Sequence, residues 1–152
     1  MAIPIALHIL ASTLWVGGML FAHLALRPSL AENLEPPQRL PVWHAVLKRF
    51  FAWVWASIVI LHATGYWMLF SIMGGMAGAR LHVHIMLGLA WVMTILFAYL
   101  FWGPYSRLSK AIAAGDLPAG GAQMGAIRKV VTINLVLGLI VIVVGSAGRY
   151  IY

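Results

Sequence analysis

Six histidines are the residues best suited to chemistry in this chain of 152 residues. They are His8, His23, His44, His62, His82 and His84. Imidazole nitrogens bind haem iron and copper, and they also exchange protons near neutral pH. The chain has no cysteine, which excludes disulfides, thiolate zinc sites and cysteine-ligated iron–sulfur clusters. Histidine is therefore the side chain on which any cofactor site must rest, and no catalytic residue is assigned.

The histidines lie in an unusually apolar chain. Its residues are 63% hydrophobic and 9% charged, whereas a soluble domain is ~25% charged. Four segments are long and apolar enough to cross a bilayer, at about residues 3–26, 50–73, 81–102 and 130–148. The sequence thus predicts an all-α integral membrane four-helix bundle with up-down-up-down topology. Residues 1–152 are expected to form a single transmembrane domain.

The charged residues predict the orientation of this bundle. With four spans, one side holds Arg80 and Arg149, and the other side holds eight basic residues: Arg27, Arg39, Lys48, Arg49, Arg107, Lys110, Arg128 and Lys129. The positive-inside rule places the second side in the cytoplasm. We therefore expect a multi-pass protein of the bacterial inner membrane with periplasmic N- and C-termini. The net charge of +7 lies at span ends, which argues for anionic lipid rather than nucleic acid as the partner.

The N-terminal apolar run lacks a basic leader region and is too long for a signal peptide, so it is interpreted as the first span. Two cytoplasmic connections, at about 29–47 and 104–128, are predicted to be long linkers. Pro36, Pro37 and Pro41 favour extended or turn structure in the first of them. The second contains a candidate interfacial helix at 105–114.

Three histidines are candidate metal ligands within the spans. From the periplasmic ends of their helices, His8 lies roughly 7 Å deep and His84 roughly 5 Å deep, and His62 lies near mid-membrane. The first and third helices of such a bundle are diagonal neighbours. His8 and His84 therefore have the geometry of two axial ligands of haem b, and His62 is an alternative to either. Trp15 and Trp91 follow these histidines by seven residues and are predicted to wall the same pocket.

The sequence leaves several roles open for the arginines and the other histidines. Arg80 and Arg149 can pair with haem propionates or simply extend towards the interface. His82 can be the second axial ligand, while His23 and His44 are expected near the cytoplasmic interface, where they form at most a second site. The histidines can also form interhelical hydrogen bonds without a cofactor.

Three functions compete for these residues. The leading hypothesis is a membrane oxidoreductase or electron-transfer protein that binds haem b and works with a quinone or a redox partner protein. The second is copper transport or resistance, since histidine and the eight methionines suit copper. The third is a non-catalytic subunit of a larger membrane complex. Small residues in the spans also permit a homo-oligomer.

The order of several short motifs resembles one known family. These motifs are Leu7-His8, Leu14-Trp15-Val16-Gly17-Gly18, Arg27-Pro28, Leu47-Lys48-Arg49-Phe50, Thr64-Gly65, Arg80-Leu81-His82-Val83-His84 and Asn134-Leu135-Val136-Leu137-Gly138. Together they resemble the CopD superfamily of small bacterial membrane proteins. One branch of that superfamily is linked to copper uptake. The other comprises membrane protoporphyrinogen oxidases (HemJ-like), whose members resemble haem-b proteins.

The oxidase branch implies specific roles for two positions. Its first-helix histidine matches His8, and its Leu-His-x-Lys motif matches the segment that begins at Leu81. This chain has His84 where that motif has lysine. The departure weakens the implied oxidase activity and favours ligation by two histidines, since imidazole is a much commoner axial ligand than an amine.

Overall fold

A computed structural model describes residues 2–151, apart from the side chains of residues 149 and 151. Its helices are α1 (Ala2–Phe21), α2 (Arg27–Asn33), α3 (Pro36–Ser71), α4 (Leu81–Leu100), α5 (Ser106–Ala114) and α6 (Leu117–Ile151). Single π-helical turns, Ala22–Leu26 and Phe101–Tyr105, join α1 to α2 and α4 to α5. The described residues contain four helical stretches that are long and apolar enough to cross a membrane. The predicted all-α four-helix membrane bundle is confirmed.

The predicted linkers are helical instead. The helix α3 begins at Pro36 rather than near residue 50, and α6 begins at Leu117 rather than near residue 130. Pro36 and Pro37 fit because the first turn of a helix needs no backbone N–H donors. Glu35 and Gln38 complete this start as a capping box. The expectation of extended or turn structure in this segment is therefore wrong, whereas the short helix predicted at 105–114 is present as α5.

Two prolines coincide with the π-helical turns. Pro104 lies inside the turn Phe101–Tyr105, and Pro28 lies two residues after the turn Ala22–Leu26. A proline ring clashes with the carbonyl four residues earlier in a regular α-helix. The wider turn changes the hydrogen-bond register, so the chain stays helical past both prolines.

The helices pack chiefly as two pairs, α1 with α3 and α4 with α6, and α1 also contacts α6. This arrangement leaves α1 and α4 on a diagonal, as the sequence predicts. The backbones of α3 and α4 scarcely approach each other, and large aromatic side chains fill the space between them. Trp55, for example, packs edge-on against Phe97 and Phe101 with ring centroids 5.2 and 5.7 Å away.

A close contact between α6 and its neighbours depends on Gly138. A Cβ atom at this position would lie 2.7 Å from Val16 Cγ2 and 3.2 Å from Met93 Cε. Nearby, Asn134 Nδ2 donates to the Met93 carbonyl at 3.2 Å. The small residue therefore allows three helices to meet around a buried amide.

We expect Gly138→Val to destabilise the bundle by about 1–3 kcal/mol, because the added methyl groups overfill a packed interface. The measurement is the thermal midpoint of the detergent-purified protein. Gly17→Val is the matched control, since no atom lies within 4 Å of a Cβ built there. Equal midpoints for the two variants would contradict the packing argument.

Candidate histidine site within the bundle

His8 on α1 is fixed by a hydroxyl group on α3. Its Nδ1 lies 2.8 Å from Thr64 Oγ1. That hydroxyl lies 2.6 Å from the Ile60 carbonyl oxygen, which can only accept a hydrogen bond. Thr64 has one hydroxyl proton, so it donates to Ile60 and accepts from His8 Nδ1–H. The lone pair of His8 is therefore on Nε2, which is the nitrogen available to a metal.

The His8 ring lies against Gly65, which follows Thr64 on the same helix. A Cβ atom at position 65 would be 3.4 Å from His8 Cε1. The absence of a side chain thus lets α1 and α3 approach closely while an imidazole lies between them. The sequence placed Thr64-Gly65 inside the second span but did not predict its contact with His8. The signal for such a contact is the small size of both residues, which lets two antiparallel helices approach closely.

His62 on α3 has the same tautomer for a different reason. Its Nδ1 lies 2.9 Å from the carbonyl oxygen of Ile58, so Nδ1 must carry the proton. Its Nε2 is buried and has no hydrogen-bond partner among the described residues. A buried polar atom without a partner costs about 1–3 kcal/mol. Metal-ligating histidines commonly have this form, with one ring nitrogen hydrogen-bonded to the protein and the other left to bind the metal.

Aromatic residues on both sides of the α3–α4 gap surround His62. The Trp91 ring contacts the imidazole edge-on with centroids 4.8 Å apart. Trp91 Nε1–H also donates to the Tyr66 hydroxyl at 2.9 Å, which bridges α4 to α3. This bond leaves the Tyr66 O–H proton free to donate towards a bound molecule. Trp91 therefore lies beside His62, whereas the sequence placed it on the helical face of His84.

His84 occupies a more peripheral position at the start of α4. Its Nδ1 lies 3.2 Å from the Arg80 carbonyl oxygen, in an exposed setting. This bond again places the proton on Nδ1 and the lone pair on Nε2. His8, His62 and His84 thus share one arrangement, in which an oxygen atom accepts from Nδ1–H and the neutral ring has its lone pair on Nε2.

The structure places His8 and His62 in the same region of the α1–α3 interface. The two imidazoles are near enough for their charges to interact, and His8 contacts α3 only two residues beyond His62. His84 precedes Trp91 by seven residues along α4, so it lies about 10 Å nearer to the α3–α4 loop than Trp91 does. Among the described residues, no three His, Cys, Asp or Glu side chains gather into one metal-binding group.

The remaining predicted site residues have separate environments. Trp15 is buried in the core and packs edge-on against Phe97 at 6.2 Å between centroids. Arg80 is exposed at the N-terminal cap of α4. The side chain of Arg149 lies outside the described residues. The roles that the sequence assigned to these three residues remain predictions.

The other three histidines face different surroundings. His82 packs against Gly148 on α6, and its buried Nδ1, like the Nε2 of His62, has no hydrogen-bond partner among the described residues. His44 bonds through Nε2 to Ser109 Oγ at 2.9 Å and stacks on Tyr105. His23 lines an apolar crevice near the end of α1. His23 and His44 therefore lie away from the candidate site.

Fold and site together define a multi-pass membrane protein whose four-helix bundle holds imidazoles in fixed tautomers. The chain belongs to the family described as copper resistance protein D, whose family model matches residues 44–147. The matched segment includes His62 and His84 and begins after His8.

One relative can be compared over part of its length. An uncharacterized protein of Aquifex aeolicus (strain VF5) is 34% identical over 91 residues, which are 59% of this chain and 60% of that protein. The similarity thus covers less than two thirds of the relative. No solved structure is significantly similar to the chain.

Proposed function

We propose that this chain binds haem b through its buried imidazoles and carries electrons within the membrane. The single observation that carries this proposal is the buried, unpartnered Nε2 of His62. Its neutral tautomer is fixed by the Ile58 carbonyl, and its ring is held beside Trp91. A haem iron requires only one or two protein ligands, so a small group of imidazoles is a sufficient donor set.

His8 is the preferred second ligand. It contacts α3 two residues beyond His62, and the Thr64 hydroxyl accepts from its Nδ1–H so that Nε2 presents the lone pair of the neutral ring. His84 is the alternative, because its Nε2 is also unprotonated and α4 is separated from α3 at the backbone. In either pairing His62 supplies one bond, and a residue on a neighbouring helix supplies the other.

A bound haem supplies reversible one-electron oxidation and reduction. The chain's residues bind it, orient it and exclude water from it. The Ile58 carbonyl and Thr64 hydroxyl orient the imidazoles, Trp91 walls the site, and the Tyr66 hydroxyl offers a hydrogen bond at its edge. Electrons would be exchanged with a quinone or another membrane redox partner. Oxidation of a small substrate, as in the membrane protoporphyrinogen oxidase branch, is the enzymatic form of this proposal.

The proposed haem protein has one orientation in the membrane. Eight basic residues at one end of the bundle favour the cytoplasm for that end. Both termini and the histidine site would then lie towards the periplasmic face of a bacterial inner membrane. A redox partner on that face would reach the site through the α3–α4 side.

Copper binding is the second candidate, and the family description favours it. The Nε2 atoms of His8 and His62 suit copper as well as they suit iron. Under this reading the two imidazoles would bind a copper ion that crosses or resides in the membrane.

Spectroscopy with metal analysis separates the two candidates. The protein is purified from membranes in detergent, its reduced-minus-oxidised spectrum is recorded, and iron and copper are counted. We expect a Soret band and an alpha band with roughly one iron atom per chain. Stoichiometric copper without iron would favour the copper reading, and the absence of both metals would contradict both proposals.

A further inference from the structure

A cavity with three arginines lies at the end of the bundle opposite the histidine site. Its volume is about 340 Å³. Arg27, Arg39 and Arg128 line it together with Trp43 and Leu30. These arginines come from α2, α3 and α6, so the fold assembles the cavity from three separate segments.

The described residues that line this cavity include three basic side chains and no acidic one. Arg27 and Arg128 are close enough for their charges to repel each other. Neither forms an ion pair within the part of the chain that the structure describes, and no acidic residue lines the cavity. Arg39 differs, because its guanidinium donates to the Leu34 and Ala31 carbonyls at 2.8 and 2.7 Å. Two like charges held together in a concave site favour a bound anion.

A second, narrow crevice continues from the cavity into the bundle. The two share Arg27, Trp43 and Arg128, and the crevice is otherwise almost wholly apolar. Leu47, Phe50 and Val131 line its apolar part. The π-helical turn Ala22–Leu26 contributes Ala22 and His23 to its wall. A free inorganic anion would use the cavity but would gain nothing from this crevice.

We propose that the arginine cavity and its crevice form a binding site for one anionic phospholipid. Arg27 and Arg128 bind the phosphate of the headgroup, Trp43 packs at the junction, and only the first carbons of an acyl chain enter the crevice, whose volume is about 40 Å³. The inference is independent of any cofactor bound by the histidines. It differs from general attraction to an anionic surface, because one lipid is held in a shaped site.

The test measures lipid binding by native mass spectrometry of the detergent-purified full chain. The probes are dioleoyl phosphatidylglycerol, dioleoyl phosphatidylcholine and glycerol 3-phosphate. We expect phosphatidylglycerol to bind at least about tenfold more tightly than either other probe. The double variant Arg27→Gln/Arg128→Gln should lose at least about tenfold of that affinity, since charged hydrogen bonds to phosphate are removed.

The double variant Arg107→Gln/Lys110→Gln is the matched control. It removes the same charge from exposed positions on α5 that do not line the cavity, and its affinity should stay within about twofold. Arg27→Lys/Arg128→Lys keeps the charge and should retain part of the binding. Equal affinities for the two lipids, equal losses in the two glutamine variants, or glycerol 3-phosphate binding as tightly as the lipid would each overturn the proposal.

Discussion

Replacing His62 by phenylalanine is expected to remove the haem spectrum and to lower the iron content of the purified protein by at least about tenfold. The reason is the buried Nε2 of His62, which lacks any partner among the described residues and is the atom proposed to bind iron. Phenylalanine keeps an aromatic ring against Trp91 and introduces no polar atom that needs a partner. The variant should therefore fold while lacking the ligand.

His44→Ala is the control for His62→Phe. The Nε2 of His44 already bonds to Ser109, and the His44 ring stacks on Tyr105 away from the candidate site. We expect its spectrum and iron content to match the unmodified protein. Elution volume and thermal midpoint verify that both variants are folded. A full haem spectrum in folded His62→Phe would contradict the role of His62.

Replacing Thr64 by valine has the second largest expected effect. Valine has nearly the same shape but offers no oxygen to His8 Nδ1–H. The imidazole would then leave a buried donor without an acceptor, which costs about 1–3 kcal/mol, or it would rotate away from its present orientation. Loss of such an orienting partner typically weakens metal binding by about 10–100-fold. We expect weaker cofactor retention and a shifted reduction midpoint potential.

Two further variants test this positioning role. Thr64→Ser retains the hydroxyl and should restore both retention and potential. Thr94→Val removes a hydroxyl that bonds only within its own helix, at 2.8 Å from the Ala90 carbonyl, and should change neither property. The positioning role would be refuted by a valine variant at position 64 whose potential and retention equal those of the serine variant.

The sequence alone determined the membrane fold. Apolar segments of spanning length occur four times, and a bilayer leaves them little alternative to helices, because each backbone polar group must be satisfied internally. The basic residues at one end of the bundle likewise predict its orientation without tertiary information. The extent of the helices was less predictable. Proline signals at Pro36 and Pro41 suggested extended or turn structure, whereas the chain places Pro36 in the first turn of α3 and Pro41 inside that helix.

Only the tertiary structure decided which residues surround each histidine. Helical depth paired His8 with His84, because depth was measured from predicted span ends and the helices were treated as evenly spaced. In the folded chain the close contact is between α1 and α3, and Gly65 allows it, so His8 lies beside Thr64 and near His62. The orphaned Nε2 of His62 was also invisible in the sequence. Whether a polar atom has a partner depends on the neighbouring helices, and a linear pattern does not specify them.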